Sequence, residues 1–394
     1  MALSLYVHIP YCIQRCRYCD FTTFEQSQIM PPTEYVELLL REIRQRQQLV
    51  SDRELRSIYF GGGTPSLIPA SLIVSIMEEL AKWGFYRGPN CEITLEINPA
   101  TLDQEKLALY RQAGFNRFSV GAQSFSDRLL KACGREHSAQ DTRETLALLN
   151  SQGLNYSFDL LFALPGQSLA DLEQDILEVL DFRPPHLSAY CLTVPEGHPM
   201  SKGRPPEGEQ IQMFDLIEDS LSQIGVFKYE ISNFARRGFE SQHNMVYWTG
   251  ESFWGLGLSA HSYFSQPGWG RRFWNPKSFP QYESQLGNPV LEESSEGPWS
   301  LLPQDQREIL QAHEALTDYC HISLRLKSGL SEDAVRFKWG DLAFNSVRQK
   351  LAQLEDCGWV QNHREGGWQL TRQGELLSNQ VFLALTYSAS DEIF

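Results

Sequence analysis

The chain has 394 residues, 42% of them hydrophobic, and carries 34 Lys and Arg against 49 Asp and Glu, a formal charge of −15 at pH 7. That length buries a large core and divides into two or three domains, while the acidity repels a phosphate backbone and opposes nucleic acid as a partner. The start, Met1-Ala-Leu-Ser, lacks the basic flank of a signal peptide, no later run is long enough to span a membrane, and eight cysteines are too few for a disulfide scaffold, so a reducing, cytoplasmic setting is expected.

Leu3–Ile9 reads as a buried strand. Directly after it, Cys12, Cys16 and Cys19 stand at C-x3-C-x2-C in the run Tyr11-Cys-Ile-Gln-Arg-Cys-Arg-Tyr-Cys-Asp20. A cubane of four irons normally takes four thiolates, so three local ligands leave one iron open to a bound molecule. Zinc prefers four closed ligands, and the nearest extra candidate, His8, lies on the strand itself. On this motif alone a zinc knuckle and a disulfide stay open.

Further strands are expected at 57–60, 91–97, 117–120, 156–161 and 186–192, separated by helical periodicity at 33–49, 71–83, 103–113, 141–152, 169–180 and 207–224. Six such units predict parallel strands with crossover helices, an α/β fold in the form of a partial (β/α)6 barrel with its chemistry at the carboxyl ends of the strands.

The second strand runs into Gly61-Gly62-Gly63-Thr64-Pro65-Ser66, where glycines let the backbone approach a ligand; without a Gly-Lys-Ser/Thr ending it is no phosphate loop. The third ends Glu92-Ile-Thr-Leu-Glu96-Ile-Asn98-Pro99. Alternation puts Glu92, Thr94 and Glu96 on one inward face, and an inward carboxylate needs a partner such as a ligand. The fourth runs into Gly121-Ala-Gln123-Ser-Phe125, with Gly134-Arg135-Glu-His137 after it, and the fifth into Asp159-Leu-Leu-Phe-Ala-Leu-Pro165-Gly166-Gln167. Singly, Arg135 reads equally as a surface ion pair and Asp159 as a structural cap.

From 229 to 299 the texture turns to Gly, Pro and aromatics with little helical periodicity, which suggests short strands and loops over the barrel mouth. This stretch holds His243-Asn244-Met245-Val246-Tyr247-Trp248. A neutral imidazole is a common ligand to haem iron, and Tyr and Trp offer flat apolar faces to a porphyrin. Without further support, a buried histidine held by Asn244 among aromatics is the simpler reading. His261 reads as packing or as facing the same cavity, and Cys91, Cys133, Cys191, Cys320 and Cys357 as buried small apolar residues. The tail predicts helices at 305–316, 331–337 and 344–356 and strands at 359–362 and Gly367–Leu370 around Glu365-Gly366, the outline of a winged helix. The expected division is 1–228 for the barrel, 229–302 for a connecting region and 303–394 for a small α+β winged-helix-like C-terminal domain.

Taken in order, these motifs resemble the radical S-adenosylmethionine (SAM) superfamily and, within it, the branch that contains anaerobic coproporphyrinogen III oxidase and the HemW-like haem chaperones. The resemblance covers nearly the whole chain. It implies a [4Fe-4S] cluster on Cys12, Cys16 and Cys19 whose free iron chelates S-adenosyl-L-methionine, with Tyr6, Tyr18, Gly62, Gly63, Thr64, Glu96, Gln123, Arg135 and Asp159 lining the cluster and SAM site. Two departures separate the chain from the oxidase: Asp20-Phe21 stands where the oxidase carries Gly-Cys, and only eleven residues precede Cys12, where the oxidase has a substantial extension. The run from His243 to Trp248 matches the HNxxYW signature of the chaperones at its four fixed positions, which implies His243 as the haem-iron ligand. The implied function is to bind haem and pass it to an acceptor protein, with an electron donor serving the cluster; the alternative is the oxidase or another radical SAM enzyme acting on a porphyrin.

Overall fold

Six strands, β1 (Leu3–Ile9), β2 (Glu54–Gly62), β3 (Tyr86–Ile97), β4 (Arg117–Gln123), β5 (Asn155–Phe162) and β6 (His186–Cys191), lie side by side in chain order, every neighbouring pair parallel. They belong to a computed structural model that describes residues 2–287, 297–363 and 367–391. The crossovers carry α1 (Pro32–Arg46), α2 (Ala70–Lys82), α3 (Gln104–Ala113), α4 (Asp127–Cys133), α5 (Ala139–Ser151) and α6 (Leu169–Phe182), and α7 (Glu207–Gln223) follows β6. Local sequence fixes the helix ends: Ser138 with Asp141 and Ser168 with Asp171 form capping boxes that satisfy the first free N–H groups of α5 and α6.

Period-two alternation divides each strand. Leu3, Leu5, Val7 and Ile9, with Ile58, Phe60, Ile93, Leu95, Phe118, Val120, Phe158 and Leu187, join the main apolar core, where the helices cover the sheet. The opposite face is polar, and it carries Ser4, Tyr6, Tyr59, Glu92, Glu96, Arg117, Ser119, Asp159, His186 and Ser188.

At the far edge β8 (Asn233–Ala235) pairs antiparallel with β6, and β7 (Phe227–Lys228) with β8. On the other side of β1 lies β9 (Phe253–Leu256), parallel, with Ser4 opposite Phe253. Antiparallel β10 (His261–Phe264), β11 (Arg271–Trp274) and β12 (Arg307–Ile309) continue outward from it. The segment expected over the barrel mouth therefore supplies strands to both edges of the same sheet. It also contains two helices that periodicity did not register, α8 (Gln242–Trp248) and α9 (Phe279–Gly287), each too short to show a helical repeat.

The tail has a second apolar core that includes Leu316, Leu330, Val335, Val347, Leu351, Trp368 and Leu370. Its elements are α10 (Ala312–Ser323), β13 (Leu330–Ser331), α11 (Glu332–Asp356), β14 (Val360–His363), β15 (Gly367–Leu370) and two short helices, α12 (Arg372–Leu376) and α13 (Ser378–Ala384), with β15 central in a three-stranded sheet. The two helices expected at 331–337 and 344–356 form one helical element broken at Gly340, whose φ of +85° suits glycine. The helix expected from 305 starts only at Ala312, because 307–309 pair with β11 as an edge strand. The expected turn at Glu365-Gly366 lies outside the described residues. Among the described residues no helix is long and apolar enough to cross a membrane.

Candidate functional site

The strand ends and the tail enclose a cavity of about 790 Å³. One wall is the loop after β1. Cys12, Cys16 and Cys19 all line the cavity with free thiols, and the loop is held by the Cys19 N–H donating to the Cys16 carbonyl at 3.2 Å and by His8 Nε2 on the Thr22 carbonyl at 2.9 Å. Burial pushes the Cys12 thiol up to about 11, with the Cys16 and Cys19 thiols adding to the shift. A cation among them reverses that penalty. Among the described residues no three His, Cys, Asp or Glu side chains converge tightly enough to grip a single ion. A cubane does not require this, since each thiolate binds a different corner. The donor set fits the cluster.

The Gly61-to-Ser66 turn faces this loop. The N–H groups of Gly63 and Thr64 donate to the carbonyls of Ile9 and Tyr11 at 2.9 and 2.7 Å, which ties the glycine turn to the end of β1 and the start of the cysteine loop. Gly62 has φ +105°, and a Cβ there would stand 2.3 Å from the His8 ring. No other residue fits.

Glu96 lies beneath. Its carboxylate accepts the Tyr59 hydroxyl at 2.8 Å and the Gly62 N–H at 3.0 Å, and burial pushes its pKa up to about 7. Gln123 holds a left-handed φ of +68°, a strained value for a residue with a side chain, where β4 opens into the cavity. Arg135 donates from Nη1 to Cys16 Sγ at 3.5 Å, from Nη2 to the Gly121 carbonyl and from Nε to His137 Nδ1 at 3.3 Å, so its charge sits beside the thiols. Asp159 accepts from Ser119 at 3.3 Å, and burial raises its pKa above the ordinary carboxylate range. Tyr18, Gly63 and Thr64 complete this part of the lining.

Two expected residues stand elsewhere. Tyr6 is set back from the wall, its hydroxyl on His8 Nδ1 at 3.0 Å. His243 is 1% exposed and does not line the cavity. Its ring stacks on Tyr59 at 5.1 Å, Nδ1 meets the Ser57 hydroxyl at 2.9 Å and Nε2 the Tyr247 hydroxyl at 2.9 Å. Because Ser57 donates to Ser4 at 2.8 Å, its oxygen is left to accept from Nδ1–H, so Tyr247 donates to the Nε2 lone pair. The ring as it stands has no lone pair for an iron. It is the buried-histidine arrangement, held by Ser57 and Tyr247 rather than by Asn244, which lines the cavity instead.

Sequence reasoning missed Arg117, Ser119, Ser157, His186, Ser188 and Tyr190 on the cavity wall. The signal was the alternation already used for Glu92, Thr94 and Glu96, not carried on to β4, β5 and β6. Cys191 also lines the cavity and, like Cys357, is exposed, whereas Cys91, Cys133 and Cys320 are buried as expected. His261 is exposed and stacks on Trp274 at 6.0 Å, away from the cavity. From the tail, Glu375 reaches the wall and takes Lys228 and Lys327 at 2.6 Å each, binding the second core to the barrel.

The radical SAM superfamily matches residues 6–179. A protein named heme chaperone HemW from Bacillus subtilis (strain 168) is 33% identical over 391 residues, covering 96% of this chain and 98% of its own length. The chain belongs to the HemW family. Its counterpart of the same name from Escherichia coli (strain K12) is 31% identical over 97% of this chain and 98% of its own length. These HemW matches extend past residue 179 to take in His186, α8 and the tail. The solved structure of coproporphyrinogen III oxidase (HemN) from Escherichia coli superposes with a TM-score of 0.81 over 98% of this chain and 90% of that one, at 23% identity, so the HemW-family chain has the HemN fold.

Proposed function

We propose that this chain is a haem chaperone of the HemW kind: it holds a [4Fe-4S] cluster on Cys12, Cys16 and Cys19, takes S-adenosyl-L-methionine between those thiols and Glu96, binds haem and passes it to an acceptor protein. The observation that carries the cofactor half is a wall of three thiols facing a buried carboxylate across one cavity of about 790 Å³, a size usual for small-molecule sites. When bound, the cluster and SAM together supply one-electron reduction of a sulfonium, which calls for an external electron donor.

The chain's own residues position and balance charge. Gly62 and Gly63 admit the ligand close to the backbone, and Glu96, aimed by Tyr59 and Gly62, accepts hydrogen bonds from a ribose or amino group. Arg135 offsets negative charge at Cys16. Gln123, Asp159, Tyr18 and Thr64 offer further polar contacts, while Tyr6 acts through His8 rather than by touching the ligand.

Support for haem comes from membership of the HemW family across both halves of the chain. Iron ligation by His243 requires Tyr247 to leave Nε2, so the haem-loaded state has α8 turned or the Tyr247 side chain swung away. Anaerobically reconstituted protein titrated with haem is expected to develop a Soret band, and His243→Ala to weaken the binding. Equal affinity in both proteins removes His243 from the role; no Soret band in the wild type removes the haem reading itself.

A further inference from the structure

Four neighbouring strands each leave a buried polar atom without a hydrogen-bond partner on the inner face of the barrel: Thr94 Oγ1 on β3, Arg117 Nε on β4, Asn155 Oδ1 on β5 and His186 Nδ1 on β6. They fall at adjoining levels, since Thr94 pairs with Arg117, Arg117 with Asn155, and His186 with Ser157, two residues on. Buried polar atoms of this kind are rare in folded proteins, and a group of them on one surface calls for a partner.

Arg117 is the strongest member. It is 2% exposed, yet among the described residues its guanidinium makes no hydrogen bond, and its pairing with Glu92 is a long approach of Nε to Oε2 at 3.7 Å. Glu92 cannot come closer to advantage, because its two oxygens already accept from Ser241, Gln242 and His243 at the start of α8. A buried cation without hydrogen bonds is costly, and the planar fork of arginine matches a carboxylate with two parallel bonds. Arg117 lines the cavity, with His186 and Ser157 beside it. Of the charged groups facing the same space, Glu375 is taken by Lys228 and Lys327, Glu96 and Asp159 accept from hydroxyls, and Arg135 donates to Cys16, Gly121 and His137, which leaves Arg117 as the lining cation whose guanidinium makes no hydrogen bond among the described residues.

We propose that Arg117, with His186 at its side, forms a carboxylate subsite at the floor of the barrel, and that its occupant is a propionate arm of the haem cargo. This rests on the haem reading above. SAM also carries a carboxylate, but the thiol loop lies at the carboxyl ends of the strands, whereas Arg117 opens β4, seven residues or roughly 20 Å from the other end. A ligand that reaches both ends is long and has an anionic tip. Haem, a flat ring with two flexible acid arms, is such a ligand.

The test compares haemin with haemin dimethyl ester, whose propionates are blocked, by Soret titration of the reconstituted full chain. Wild type is expected to prefer free haemin by roughly ten- to a hundredfold, the range of a charge-assisted pair. Arg117→Gln is expected to abolish that preference and Arg117→Lys to retain part of it, with the SAM-induced change in the cluster spectrum intact in both. Equal affinity of wild type for the two porphyrins, a reading that needs no variant to fold, overturns the subsite. So does a preference that survives in Arg117→Gln, or a loss of the SAM response in that variant with the preference unchanged, which would give the subsite to SAM. Absence of any haem or ester binding in wild type overturns the chaperone reading and the subsite with it, a result distinct from binding without discrimination.

Discussion

Glu92 Oε1 accepts the backbone N–H of His243 at 3.1 Å, while Oε2 accepts that of Gln242 at 3.2 Å. A carboxylate from the third strand thus caps the helix that carries the HNxxYW residues and favours its positive end. Glu92→Ala removes the acceptor for these groups and the partial counter-charge of Arg117 together. The expected cost is about 2–4 kcal/mol in urea unfolding, with Glu92→Gln recovering roughly half. A loss below about 0.5 kcal/mol would show that the cap does not hold α8.

Burial, with the Arg117 charge adding to it, lowers the pKa of His243 to about 3. The folded-state value is depressed below the unfolded one, so the stability tied to the neutral ring is fully present above pH about 6.5 and is lost as pH falls toward 3. Glu96 acts with the opposite sign: held near 7, it contributes stability below its unfolded value that fades as pH rises to 7. Comparing wild type with His243→Gln cancels the Glu96 contribution. The gap in unfolding free energy between the two is expected to change by about 2–3 kcal/mol between pH 7.5 and 4.5, in favour of the variant at low pH. Parallel pH curves would contradict the burial of a neutral imidazole.

At Gly62 the backbone is left-handed and the His8 ring occupies the space of a Cβ. Gly62→Ala combines backbone strain with a clash against a ring whose other nitrogen anchors the cysteine loop through Thr22. A destabilisation of at least about 2 kcal/mol is expected, together with reduced iron after anaerobic reconstitution. Full iron content in a stable Gly62→Ala protein would separate the turn from the thiol loop.

Serine at Cys12, Cys16 or Cys19 is expected to abolish bound iron and its visible absorbance, whereas serine at Cys357, which is exposed and off the cavity, leaves both unchanged. Cys191→Ser is the more searching control, because this thiol also lines the cavity but interacts with Gln210 and Arg204. Iron content equal to wild type in Cys16→Ser would end the three-thiolate assignment.

Much of the barrel was legible because its signals are local. β1 spans the expected residues end for end, since a parallel strand covered by helices is a continuous apolar run on one face, and the helices follow from periodicity and caps. The cysteine loop and glycine turn could be located from spacing, whereas the roles expected of them came only from the family resemblance. The partners that hold His243 were not legible: Asn244 was expected, but the ring is seated by Ser57 and its helix by Glu92, more than a hundred residues earlier. The placement of 253–256 beside β1 was likewise set by pairing across the whole barrel, and the strand at 307–309 owes its existence to β11 rather than to its own propensity.

The position of β1 between β2 and β9 bears on how the protein comes off the ribosome. β1 is made before its partner β9 and keeps one row of unpaired amides and carbonyls until Phe253–Leu256 emerges, so the thiol loop hangs from an unfinished sheet edge while β2 to β8 are synthesised. On the three-thiolate proposal, insertion of iron and sulfur into a settled loop belongs after Phe253–Leu256 has joined the sheet. A nascent chain stalled before β9 presents an adhesive edge to its neighbours.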